Sequence, residues 1–305
     1  YRVLKWITQL DDTFYPNHDC RDPRLAEFFQ KRDVRIAMSV AMDRQTIVDL
    51  AYDGLAVAKN GGPAIVSPEH HEKSSFQYAE YDPDKANELL DALGYTERGA
   101  EGYRLWDDGS GDTISFIIDM WFTGSAQDAA GMAVQYLADV GLKASLNIMQ
   151  STLYNERANS NQHDAQWEYG TSKLNNFFVP EHVYVAEVRG RNCFGGWTLW
   201  NLNRDDPNGH EPPEGHFLWT LWELWEKAKV EVDDKQRLAY FHQMMDIWAD
   251  EVPAIGITGD KVGPIICKNG FMNMGEGFPF ANNIHHDVLL GSPTFFWDDP
   301  AAHSG

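Results

Sequence analysis

The side chains that could do chemistry fall into a few clusters, and each can be weighed from its neighbours. His70-His71-Glu72 and His285-His286-Asp287 carry metal-binding residue types. Neither has the helical i, i+4 pair or the cysteine support of a usual site, so both read as polar surface and no metal is expected. Asp205-Asp206 and Asp233-Asp234 supply paired carboxylates. Glycoside hydrolysis needs an acid and a base or nucleophile about 5–10 Å apart across a substrate, whereas adjacent acids point apart and are common in caps and turns. Cys20, Cys193 and Cys267 lie too far apart in sequence for a zinc or CxxC redox motif, so free thiols or one long-range disulfide remain open. With no GxSxG, P-loop, GxGxxG or HExxH pattern, the chain is expected not to be an enzyme and to need no cofactor. Tryptophan is the more informative residue type. Trp219, Trp222 and Trp225 are spaced by three and read as one packed helix face, while Trp197 and Trp200, set among Gly195, Gly196, Asn201 and Asn203, are candidates for stacking on a ligand.

Charge narrows the partners further. The 305 residues carry a formal charge of −21, and that field repels nucleic acid and anionic membrane surfaces. No apolar run approaches the ~20 residues that span a bilayer. The chain opens in strand-like sequence at Tyr1 and reads as part of something longer.

The elements that must hold these residues are legible in outline. Apolar spacing predicts two consecutive helices across 33–51 with a junction near Asp43, then an extended Gly/Pro-punctuated stretch from Gly54 to Pro68. Asp82 and Pro83 mark the start of a helix whose apolar face is Ala86, Leu89, Leu90 and Leu93, and which Gly94 ends. A strand at 114–120, a helix at 128–140 and a strand at 142–148 form a βαβ unit, which calls for parallel pairing. A short strand is expected at 163–167, helices at 216–231 and 233–250, and two strand-like runs between Pro253 and Ile266 broken at Gly259-Asp260.

Arg35-Ile36-Ala37-Met38-Ser39-Val40-Ala41-Met42-Asp43-Arg44 resembles the signature of family-5 extracellular solute-binding proteins. Tyr52-Asp53-Gly54-Leu55-Ala56, Tyr81-Asp82-Pro83-Asp84-Lys85-Ala86, Gly209-His210-Glu211-Pro212-Pro213 and the strands of 253–268 are similar to family segments in the same order. The signature is structural: its apolar face packs on a sheet, and Asp43-Arg44 can bond backbone groups freed at the helix junction. The resemblance implies an α/β, type II periplasmic-binding-protein-like lobe with a mixed, mainly parallel sheet flanked by helices. Residues 1–266 would be the second, C-terminal lobe and 267–305 a tail returning to a first lobe. It also implies capture of an oligopeptide or similar solute between two lobes, for delivery to ABC permease subunits, by a monomeric periplasmic or extracellular receptor. An oligosaccharide is the alternative solute. The family's ligand-bordering loop corresponds to Trp167, Glu168, Tyr169 and Thr171, which with Trp197 and Trp200 make the expected ligand contacts. Peptide-binding members carry an Asp shortly after the aromatic residue of this loop, and Trp167–Lys173 has none, a departure that counts against peptide capture unless Glu168 takes its place.

Overall fold

The computed structural model describes residues 1–8, 11–172, 183–187, 193–280 and 294–303; Lys173 and His285-His286-Asp287 lie outside them. The strands are β1 (Arg2–Thr8), β2 (Asp12–Pro16), β3 (Val57–Ala58), β4 (Ser115–Met120), β5 (Lys143–Ile148), β6 (Ala165–Glu168), β7 (Ile255–Gly259), β8 (Val262–Cys267), β9 (Phe271–Met272), β10 (Pro279–Phe280) and β11 (Phe296–Trp297). The helices are α1 (Pro23–Gln30), α2 (Arg32–Val40), α3 (Arg44–Tyr52), α4 (Glu72–Phe76), α5 (Pro83–Ala92), α6 (Ser125–Asp139), α7 (Ser151–Asn159), α8 (Gly195–Leu202), α9 (Phe217–Val230) and α10 (Asp234–Glu251).

Six strands form one sheet in the order β3-β7-β2-β6-β4-β5. Alternation along β2 sends Phe14 into a core with Phe116, Trp167, Ile255 and the helices α1, α2, α5 and α6, while Tyr15 faces a second core built from Tyr184, Phe194, Trp197, Trp222 and Trp248. The sheet is therefore covered on both faces, as an α/β layer requires. The α/β class and the mixed sheet are as expected, but the sheet is not mainly parallel. Among the described strands of this sheet, β4 with β5 and β4 with β6 pair parallel, whereas β2 with β6, β2 with β7 and β3 with β7 are antiparallel. The reason lies in a separate ribbon, where β1 and β8 pair antiparallel from Arg2 opposite Cys267 to Ile7 opposite Val262. Each ribbon strand adjoins a sheet strand in sequence, β1 before β2 and β8 after β7, so β2 and β7 inherit opposite directions.

The signature segment does the structural work its sequence implies. Asp43 caps α3 by accepting from Thr46 N at 3.0 Å, and Arg44 donates to Ser39 O and Gly256 O, each at 2.8 Å. Asp82 caps α5 through Lys85 N, with Pro83 in the first turn. The three cysteines are free and buried. Beyond Cys267, the described tail residues Phe271, Met274 and Phe278 pack on Leu4 and Trp6 of the ribbon.

Burial of titratable groups gives the fold a pH dependence. His163 is buried with no hydrogen-bond partner on either ring nitrogen, and burial first, then Arg157, holds its pKa down at about 3. His216 is held down to about 4 by burial and then Arg35. Unfolded histidine titrates near 6.5, so between about 4 and 6.5 the unfolded chain binds more protons and stability rises with pH. Asp19 opposes this, because its carboxyl is pushed up to about 7 by burial and the unfolded chain releases that proton first. Five histidines, His18, His71, His163, His210 and His216, are held down against two raised carboxyls, Asp19 and Asp164, so the urea midpoint is expected to fall as pH drops from about 6.5 to about 4. His163→Phe is expected to flatten that slope; an unchanged slope would place the acid sensitivity elsewhere.

Candidate functional site

The strand directions bring chemistry to one end of the sheet. β4, β6 and β7 finish there and β2 begins there, and the ribbon β1/β8 departs from the same end, with Thr8 N donating to Lys261 O at 2.7 Å. Loops at the carboxyl ends of strands are where α/β sheets place ligands.

Two buried aspartates organise this end. Asp11 accepts from Gly170 N at 2.9 Å, Thr171 N at 3.0 Å, Thr171 Oγ1 at 2.8 Å and Thr13 Oγ1 at 2.9 Å. These four donors fix the backbone that follows β6, and Tyr184 OH also donates to Thr171 O. Asp12 accepts from Trp167 Nε1 at 3.2 Å and from Thr258 Oγ1 and Lys261 Nζ, each at 2.8 Å. A second buried ion pair, Lys59 Nζ to Asp260 Oδ2 at 3.2 Å, pins the 59–65 stretch to the turn after β7, where Asp260 Oδ1 also accepts from Ile65 N. Burial lowers the Lys59 pKa, and Asp260 works against that. Buried pairs of this kind hold one geometry because breaking either leaves an unpaired charge.

On this frame stands an aromatic shelf. Trp121 and Phe122 follow β4 with ring centroids 4.2 Å apart, and Phe122 meets Tyr169 at 5.4 Å. All three are half-buried, and Phe122 also packs against the first core. Glu168 holds the Trp121 ring, accepting from its Nε1 at 2.7 Å and from Tyr169 N at 3.2 Å. Such a surface can stack on a planar or apolar group while the polar loop beside it orients hydrogen-bonding groups.

The residues singled out in the sequence divide between this end and elsewhere. Trp167, Glu168, Tyr169 and Thr171 are together here, but only Tyr169 is open to solvent. Trp167 is a core ring, Thr171 is tied to Asp11, and Glu168 is buried against Trp121. Trp197 and Trp200 lie on α8, away from this site. Trp197 is buried in the second core, and Trp200 stacks under Arg204, whose guanidinium carbon is 3.4 Å from the ring centroid. Trp222 and Trp225 are core, as their spacing implied, and Trp219 packs edge-on against Trp222 at 5.0 Å. Sequence reasoning missed Trp121, Phe122, Asp11 and Asp12. The available signal was an aromatic pair directly after a strand and just before Gly124.

Among the described residues no group of three or more His, Cys, Asp or Glu is placed to hold a metal. His71 caps α4 through Ser74 N and faces Asp246 at 3.5 Å. The paired acids are structural too, since Asp233 caps α10 and Asp234 pairs with Arg237.

Residues 11–178 match the family model described as bacterial extracellular solute-binding proteins, family 5, middle. The chain is 31% identical over 267 residues to di/tripeptide-binding protein 1 of Pseudomonas aeruginosa (strain UCBPP-PA14), covering 86% of this chain and 43% of that protein. It is 30% identical over 269 residues to the glutathione-binding protein GsiB of Shigella dysenteriae serotype 1, covering 83% of this chain and 44% of that one. It thus spans less than half the length of these relatives. Among solved structures, the oligopeptide-binding protein OppA superposes with a TM-score of 0.83 at 25% identity, over 98% of this chain and 49% of that one. The match of more than half of the chain to the family model and the identity to these relatives show that the chain belongs to the family-5 bacterial extracellular solute-binding proteins.

Proposed function

We propose that residues 1–266 are one lobe of an ABC importer's receptor, that 267–305 return to a first lobe, and that a short peptide is held between the two. The observation that carries this reading is the shelf of Trp121, Phe122 and Tyr169, set beside the Asp11-anchored loop at the end of the sheet from which the ribbon departs. A second lobe joined through that ribbon would face the shelf, and hinge closure would enclose the solute. The similarity to di/tripeptide- and glutathione-binding proteins supports a peptide. No covalent chemistry and no cofactor enter, and the partners are permease subunits met by a monomeric receptor outside the cytoplasmic membrane. An aromatic shelf also suits a sugar ring, which keeps an oligosaccharide as the second reading.

Calorimetric titration of a chain carrying both lobes, with di- to tetrapeptides and with oligosaccharides, tests this. Peptides are expected to bind, and Trp121→Ala to weaken them by about tenfold or more through loss of a stacked ring. The 305-residue chain alone is expected to bind weakly, since half of the contacts are absent. Saturable binding of oligosaccharides but not of peptides would select the second reading. Peptide binding indifferent to Trp121 would move the site away from the shelf.

A further inference from the structure

The opposite end of the sheet carries a cleft that the receptor reading does not use. β2 leaves the sheet at Pro16 and runs through Asn17, His18 and Asp19, and here an open cleft of about 650 Å³ forms beneath the 203–216 loop. Its floor is Asp19, whose side chain is 2% exposed. Oδ2 accepts from Trp197 N at 2.6 Å and faces His210 Nε2 at 3.4 Å, but Oδ1 is buried and has no hydrogen-bond partner. The surroundings fix this geometry. Asn161 Nδ2 donates to Asp19 O at 3.0 Å, while Asn17 Nδ2 donates to Asn161 Oδ1 at 2.8 Å. Gly196 allows the His210 ring to approach, because a Cβ there would lie 2.6 Å from the imidazole.

The chemistry of the cleft selects the charge of what it holds. A buried carboxylate oxygen without a donor is costly, and a donor that also brings positive charge relieves both deficits. Two more carboxylates, Glu27 and Glu211, stand exposed among the lining residues. Among the described lining residues the arginine, Arg21, is occupied: its guanidinium donates to Asn161 O at 3.0 Å and Ser160 O at 2.9 Å. Pro23 and Pro213 add apolar wall for a short carbon chain. Burial pushes the Asp19 carboxyl up to about 7, against the pull of the Trp197, Gly196 and Asp19 backbone N–H groups, so a cation that reaches it favours the ionised form.

We propose that this cleft is a second ligand site, distinct from the aromatic shelf, that takes the primary ammonium of a small organic cation onto Asp19. Oδ1 has almost no exposed surface, so binding first turns the Asp19 side chain toward the cleft, then makes a charge-assisted hydrogen bond to Oδ1 and packs the carbon chain; no covalent bond is made or broken.

The probe is 1,5-diaminopentane, titrated into the 305-residue chain by calorimetry, with 1-pentanol and pentanoate as neutral and anionic controls of the same length. One saturable site for the diamine is expected and none for either control. Asp19→Asn keeps the shape and removes the charge, and is expected to weaken the diamine by at least about tenfold. The double rim variant Glu27→Gln/Glu211→Gln is exposed and leaves the floor intact, so it remains informative if Asp19→Asn fails to fold; it is expected to weaken binding by about threefold. Absence of saturable diamine binding, equal binding of pentanoate, or unchanged affinity in the rim variant or in folded Asp19→Asn would each overturn the proposal.

Discussion

Arg35→Ala is expected to lower the unfolding free energy by roughly 3–5 kcal/mol, a large share of what a domain of this size usually has. The guanidinium is 1% exposed and serves two helix ends at once. At the end of α1 it donates to Phe29 O at 2.8 Å and Gln30 O at 2.6 Å, and at the end of α10 to Glu251 O at 2.8 Å and Val252 O at 3.2 Å. Terminal carbonyls have no partner within their own helix, and the dipole of each helix favours a cation there. The Glu251 carboxylate adds a longer contact at 3.4 Å. Burial lowers the Arg35 pKa to about 10, which leaves it charged at neutral pH. Alanine would strand four carbonyls and open a cavity between α1, α2 and α10. Arg35→Lys is expected to recover little, since one ammonium cannot span both helix ends. Urea unfolding followed by circular dichroism measures the effect, and a loss under about 1 kcal/mol would mean that water enters and caps the carbonyls instead.

Arg35 also shows what the sequence could reveal. Its segment was readable because its signals are local: apolar spacing gives α2 and α3, Asp43 and Asp82 give caps, and 114–148 gives the βαβ unit. What escaped depends on distant partners. Asp12–Pro16 is buried along its whole length between β6 and β7, so it lacks the polar alternation that marks a strand. The antiparallel half of the sheet follows from the ribbon's pairing between residues more than 250 positions apart. α1 was missed although Asp22-Pro23 carries the same cap signal that is read at Asp82-Pro83. Trp197 misled for a physical reason. Its flanking glycines look like a loop, yet they open α8 because a Cβ at Gly195 would lie 2.0 Å from Asn161 Oδ1. Glycine there marks close packing, and the tryptophan beside it is core. Trp121 and Phe122 became visible as a shelf only once β4 and β6 were known to end side by side.

The second large effect follows from that convergence and rests on the receptor reading. Asp11→Ala is expected to weaken peptide binding by tenfold to about a hundredfold in a chain carrying both lobes, while costing about 2 kcal/mol of stability. Asp11 touches no part of the shelf; its carboxylate gathers four donors, three of them from Gly170 and Thr171, and so fixes the chain immediately after Tyr169. Without it two buried backbone N–H groups lose their acceptor and the loop relaxes toward water, so ligand binding must then repay the ordering of Tyr169. Thr13→Val separates this role from a general loss of stability, because it deletes one donor to Asp11 and the 3.0 Å contact with Thr171 Oγ1 but leaves both Asp11 to backbone bonds in place. It is expected to lower stability with affinity nearly unchanged. If Asp11→Ala instead binds peptide as tightly as the parent, the bond from Tyr184 to Thr171 O suffices to hold the loop, and the order of this end of the sheet comes from the second core rather than from the aspartate.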